Sequence, residues 1–111
     1  MNKVSSCHLN TTLEVIGGKW KLVILWHLSR ETLRFSELEK RITGITQKML
    51  SQTLKELEKD RLISRKVYAV VPPKVEYSIT DHGVSLEKVL QELDKWGELH
   101  QISTGKPRNS P

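Results

Sequence analysis

The sequence lacks most of what a catalytic, membrane-spanning or cross-linked protein needs. Cys7 is the only cysteine, so neither an intrachain disulfide nor a cysteine-rich zinc site can form within one chain. No unbroken apolar run exceeds that from Leu22 to Trp26, far below the ~20 residues that span a bilayer, and Met1–Asn10 has no apolar signal core. No membrane association and a cytoplasmic location are expected. Aromatic side chains number three Trp, two Tyr and one Phe, too few for a base-stacking platform of the single-stranded RNA type. Gly18-Lys19 runs into Trp20 rather than Ser or Thr, and Leu13 stands where a phosphate-binding loop needs its first glycine. His8, His27, His82 and His100 show no metal-ligand spacing, and nothing beside Cys7-His8 supplies an oxyanion hole. No catalysis, metal or cofactor is expected.

What is present is charge and a modest core. The 111 residues fit one domain, with 37% apolar and 28% charged residues. Lys and Arg total 18 against 13 Asp and Glu, a net +5 with a pI near 9.5, the sign expected of a partner for phosphate-rich polymers. The total discriminates poorly; placement along the chain matters more.

Thr11-Thr12-Leu13-Glu14 has the spacing of a capping box and predicts a short helix ending at Gly17-Gly18. Lys19–Ser29 is apolar nearly all round, which predicts a central helix covered on most sides. Ser36-Glu37-Leu38-Glu39 repeats the box and predicts a helix burying Phe35, Leu38 and Ile42, broken at Gly44. Thr46 is the expected N-cap of a longer helix to about Asp60, so 36–60 has the order helix, Gly-containing turn, helix. The stretches 62–70 and 74–80 are rich in β-branched and aromatic residues and flank Val71-Pro72-Pro73, as the strands of a hairpin would. Thr80-Asp81 should open a last helix carrying Leu86, Val89, Leu90, Leu93, Trp96 and Leu99 at near-helical spacing. Residues 1–102 are thus expected to form one winged helix-turn-helix domain, mainly α with a small β-hairpin wing, and 103–111 a flexible tail.

In the helix from Gln47, Leu50, Leu54 and Leu57 share one face while Lys48, Ser51, Gln52 and Lys55 share another. A major groove admits a helix, and Gln, Lys and Ser hydrogen-bond base edges or phosphates. Any surface helix carries a polar stripe; what singles this one out is its place after a capped helix and Gly turn and before a basic hairpin. Between Lys59 and Lys74 lie Arg61, Arg65 and Lys66, with Asp60 the only acid. Phosphate contact along a groove edge is the functional expectation for that run, an ordinary solvated strand face the plain one. Lys74, beside the wing-tip prolines, is the candidate for reaching an adjacent minor groove.

Five stretches in order, Thr11–Trp20, Arg34–Leu38, Gly44–Leu50, Val71–Tyr77 and Thr80–Gly83, resemble the HxlR-type regulators, winged-helix relatives of the MarR group. The resemblance implies a dimeric repressor or activator of double-stranded DNA whose reading helix begins near Thr46. Ser36, Thr46, Gln47, Lys48, Ser51, Gln52, Lys55, Arg65, Lys66 and Lys74 are the expected DNA-binding residues. It also implies that Cys7 matches a cysteine with which some members sense oxidants or electrophiles, although His8 stands where many members keep proline. From the residues alone Cys7 has two open roles, a thiolate favoured by a helix N-terminus or a small apolar residue packed under a helix.

The apolar stripe of the last helix is long for so small a domain. It predicts a homodimer in which Leu86, Val89, Leu90, Leu93, Trp96 and Leu99 pack with Leu9, Leu13 and Ile16 against a second copy, setting two reading helices on an inverted repeat. The effector is then an oxidant acting on Cys7 or a small molecule held between subunits. The alternative function is a winged-helix module that binds protein instead of DNA, which would expose aromatic or aliphatic side chains where the polar stripe lies.

Overall fold

Leucine and isoleucine at spacings of three and four build four helices around one core before the chain turns to β-branched residues. The computed structural model describes residues 8–105. The order is α1 (Leu9–Ile16), α2 (Lys21–Arg30), α3 (Phe35–Arg41), α4 (Gln47–Lys59), β1 (Ile63–Tyr68), β2 (Lys74–Ile79), α5 (Asp81–Val84) and α6 (Glu87–Thr104). Ile24, Leu25 and Leu28 of α2 lie at the centre with Leu38, Leu50, Leu54, Leu57, Leu62 and Ile63 packed around them. This is a winged helix-turn-helix: mainly helical, with an antiparallel hairpin appended to the helix-turn-helix pair.

β1 and β2 pair in the register Ile63↔Ile79, Arg65↔Tyr77, Lys66↔Glu76 and Tyr68↔Lys74. Leu33 adds a one-residue bridge on the other edge of β2, giving its N–H to Tyr77 at 3.0 Å and accepting the Tyr77 N–H at 2.8 Å. The hairpin is thereby fastened to the α2–α3 connection as well as to α4.

Several boundaries differ from the sequence expectation, each for a local reason. Thr11 does not cap α1; the helix starts at Leu9, and Thr11 lies inside it while the Thr12 hydroxyl donates back to the His8 carbonyl at 3.3 Å. The second box is displaced by two residues. Arg34, in extended backbone, is the N-cap of α3, and Glu37 accepts its N–H at 2.8 Å, so Ser36 falls in the first turn. α2 is less enclosed than its composition suggests, because Val23 is exposed and Leu22 and Trp26 are half-buried. The strands are shorter, leaving 69–73 as the wing loop.

The last helix is two helices. Thr80 caps α5 by accepting the Gly83 N–H at 3.0 Å, but a break at Ser85 and Leu86 precedes α6. A Cβ on Gly83 would come within 2.2 Å of the Leu62 carbonyl oxygen, so α5 is seated directly on the backbone leaving α4. α6 then runs to Thr104 and ends at Gly105 in the left-handed region at φ 66°. Ser103 and Thr104 are therefore helical rather than tail, and Gly105 caps the helix; residues 106–111 of the expected tail, and Cys7, lie outside the described residues. Among the described residues no helix is long and apolar enough to cross a membrane.

Candidate nucleic-acid interface

The N-terminus of α4 is set by the turn before it. Gly44 takes φ 89°, a conformation that side-chain-bearing residues rarely adopt, and lets the chain reverse between α3 and α4. Ile42 and Ile45 on either side are buried, which fixes the turn to the core. Thr46 Oγ1 then accepts the Met49 N–H at 3.1 Å, the cap its position predicts. With Leu50, Leu54 and Leu57 locked into the core, rotation of α4 about its axis is settled. Gln47, Lys48, Gln52 and Lys55 are left exposed and Ser51 half-buried on the opposite side.

The C-terminus of α4 is equally defined. Leu62 N–H bonds the Leu57 carbonyl and Arg61 N–H the Glu58 carbonyl, both at 3.0 Å, with Arg61 left-handed at φ 62°. This double bond pattern is a Schellman ending made without glycine, backed by burial of Leu57 and Leu62. It turns the chain so that β1 runs back alongside α4. Ser51, Lys55 and Glu58 of α4 meet Arg65 of β1 and Tyr77 of β2 around one depression of about 280 Å³. Arg65 thus joins the polar stripe of α4, an association that sequence separation conceals. Glu58 and Tyr77 were not among the expected site residues; alternation in β2 would have placed Tyr77 on the Arg65 face once the register was known.

Lys66 and Lys74 do not share that face. With Tyr68 and Glu76 they occupy the other side of the hairpin, where both ammonium groups lie over the Tyr68 ring, Lys66 at 4.9 Å and Lys74 at 4.7 Å from its centre. Tyr68 Oη donates to Glu76 at 2.8 Å and Lys74 Nζ is 3.4 Å from the same carboxylate. The Tyr68 hydroxyl first, and then Lys74 with Arg34 farther off, hold the Glu76 carboxyl below the usual carboxylate range. Lys74 is half-buried and engaged at the base of the loop rather than extended from its tip. Ser36 is exposed in the first turn of α3. Gln52 Nε2 lies 3.5 Å from Glu56, and Lys21 pairs with the same Glu56 at 3.7 Å, so the far side of the stripe is braced against α2.

α1 and α6 each carry exposed apolar side chains. Leu9, Leu13, Val89, Leu93, Trp96 and Leu99 are all exposed, and Ile102, exposed to 71%, extends the stripe by one more turn. Ile102 lies beyond Leu99, the last residue of the expected stripe, because α6 continues to Thr104. Ile16 and Leu90 are used differently from expectation: they are 6% and 5% exposed and belong to the chain's own core, since α1 and α6 each turn one edge inward. Leu86 is half-buried against the same core. Between α2 and α6 runs an apolar groove of about 300 Å³ lined by Leu22, Val23, Trp26, Leu90, Leu93 and Asp94.

The HxlR-like helix-turn-helix family profile matches residues 15–104. The HTH-type transcriptional regulator YkvN of Bacillus subtilis (strain 168) is 57% identical over 95 residues, which are 86% of this chain and 80% of that protein. The solved structure of the HTH-type transcriptional regulator YtcD is 54% identical with a TM-score of 0.80, covering 85% of this chain and 96% of the other. The redox regulator HypR is similar in both of its states. Its oxidised form gives a TM-score of 0.81 at 41% identity, over 94% of this chain and 100% of HypR. Its reduced form gives 0.85 at 40%, over 91% and 100%.

Proposed function

The chain belongs to the HxlR-like helix-turn-helix family of transcriptional regulators, and from that premise we propose that it is a non-catalytic cytoplasmic homodimer binding double-stranded DNA at an inverted-repeat operator. The observation that carries this is the meeting of two elements: α4 turns Lys48, Gln52 and Lys55 outward while its leucines are locked inward, and Arg65 comes to the same surface from the hairpin. A helix so presented fits a major groove, and cations beside it fit the phosphate rim. Lys48 and Gln52 contact base edges. Arg65 and Lys74 contact phosphate, and Ser36, Thr46, Gln47, Ser51, Lys55 and Lys66 complete the footprint.

The exposed stripe of α1 and α6 supports the dimer. Leu9 and Leu13 of α1, and Val89, Leu93, Trp96, Leu99 and Ile102 of α6, are exposed apolar side chains of the kind that self-association covers, while Ile16 and Leu90 on the inner edges of the same helices are core. The effector is an oxidant or electrophile acting on Cys7, as the similarity to a redox regulator favours, or a small molecule bound between the subunits.

In vitro selection from a random duplex pool, with sedimentation of the free protein, tests the proposal. The expected outcome is an inverted-repeat consensus and a species of twice the 12.8 kDa chain mass at micromolar concentration. No enriched sequence, or a monomer bound at single half-sites, would refute it, the first result favouring the protein-binding alternative.

A further inference from the structure

The wing is charged at its base and apolar at its end. Lys66 and Lys74 are gathered onto Tyr68 and Glu76 at the last residues of the paired strands, while the loop beyond them is Ala69, Val70, Val71, Pro72 and Pro73. No side chain in that loop carries a charge or a hydrogen-bonding group. All five are exposed, Val71 completely. An apolar projection with cations behind it fits a narrow groove whose walls are sugar C–H surfaces and whose rims are phosphates.

The direction of the hairpin brings such a groove within reach. β1 leaves the C-terminus of α4 and runs back along it, since Arg65 shares a depression with Ser51 and Lys55. Val71 lies six residues beyond Arg65, up to roughly 20 Å at ~3.3 Å per residue. The minor groove next to a major groove held by α4 is half a helical turn away, roughly 17 Å of the ~34 Å repeat.

We propose that Val71, backed by Pro72, is a specificity-determining wedge that enters the minor groove flanking each half-site, with Lys66 and Lys74 serving its phosphate rims. The proposal rests on the DNA-binding function argued above and replaces Lys74 by Val71 as the group that goes into the groove. Apolar wedges of this type read groove shape and ease of unstacking rather than hydrogen-bond pattern. The exocyclic amino group of guanine stands in the minor groove and obstructs such a wedge, so the flanks should favour A·T over G·C.

The test uses the operator selected by the wild type, in versions whose flanks carry A·T, G·C or inosine·C pairs. Inosine·C resembles G·C in the major groove but lacks the minor-groove amino group. Wild type should bind the A·T and inosine·C versions alike and the G·C version more weakly. Val71→Ser, a change at a fully exposed position whose fold is checked by circular dichroism, should lose about tenfold on the A·T version, the order expected for returning one valine side chain to water, and no longer distinguish the three flanks. Gln52→Ala should keep the flank preference while losing selectivity at the half-site. Equal affinity of wild type and Val71→Ser, or wild-type indifference to flanking G·C, overturns the wedge and leaves the DNA-binding function standing. Failure of the wild type to select any sequence overturns both.

Discussion

The Thr80 hydroxyl donates to the Arg61 carbonyl at 2.6 Å, tying the start of α5 to the turn that ends α4. The same oxygen accepts the Gly83 N–H, so one side chain caps a helix and anchors the root of the wing. Thr80→Val keeps the shape and removes both bonds. It should cost about 1–2 kcal/mol in stability, measured by chemical denaturation. An unchanged midpoint would mean that the turn is held by packing alone.

The backbone on either side of that bond should respond oppositely to substitution. Arg61 is left-handed without being glycine, so Arg61→Gly relieves ~1–2 kcal/mol of steric cost against ~0.5–1 kcal/mol of added chain entropy, a net gain of about 0.5–1 kcal/mol. Gly83→Ala would drive a Cβ to 2.2 Å from the Leu62 carbonyl oxygen and 2.5 Å from Ile79 Cγ1. A loss of about 1–3 kcal/mol is expected. Thermal melts of the two variants should move in opposite directions; movement in the same direction contradicts this account of the turn.

If α4 and the hairpin bind DNA as proposed, base-reading and phosphate-binding side chains should leave different signatures. Gln52→Ala should cost about 1–3 kcal/mol on the best site and relax base preference locally. Arg65→Ala and Lys74→Ala should weaken all sequences alike and each flatten the salt dependence by about one counterion. Fluorescence anisotropy at three salt concentrations separates the two classes. An unaltered sequence preference in Gln52→Ala would remove α4 from the role of reading helix.

His27, half-buried in the last turn of α2, should make stability depend on pH. Burial first, and then the Arg41 guanidinium, lower its pKa from the ordinary 6.5, with Glu31 opposing them. A histidine whose folded pKa lies below its unfolded one takes up its proton more readily when unfolded. Its full contribution is therefore present above pH 6.5 and is lost as the pH falls through 6.5 toward and past the folded value. Melting temperatures between pH 7.5 and 5.5 should fall more steeply for wild type than for His27→Gln. Parallel curves would show that His27 does not carry the dependence.

Cys7 is the residue through which an oxidant effector is proposed to act. If an oxidant is the effector, diamide or a quinone should change operator affinity in the wild type and leave Cys7→Ser unaffected, with an intersubunit or mixed disulfide visible by mass. Equal affinities in all four conditions would leave Cys7 a packing residue and direct the search to small molecules between the subunits.

The helix-turn-helix was legible from the sequence because its determinants are local. Gly44, the Thr46 cap and the leucines at 50, 54 and 57 each act within one turn of helix, so the stripe Lys48, Ser51, Gln52 and Lys55 could be read without a fold. Thr80 was legible as a cap for the same reason. The false caps at Thr11 and Ser36 have a local cause too: the capping pattern also occurs inside a helix or one turn into it, and only packing selects the true start. What depends on contacts between distant residues needed the tertiary structure. Arg65 joins α4 while Lys66, its neighbour in sequence, turns to Tyr68 and Glu76, because strand alternation assigns faces only after register is known. Ile16 and Leu90 are core whereas Leu13 and Leu93 are surface, although all four belong to the same kind of apolar stripe. Periodicity specifies that a helix has an apolar side, but how wide a part of that side the chain itself covers is decided by the neighbouring helices.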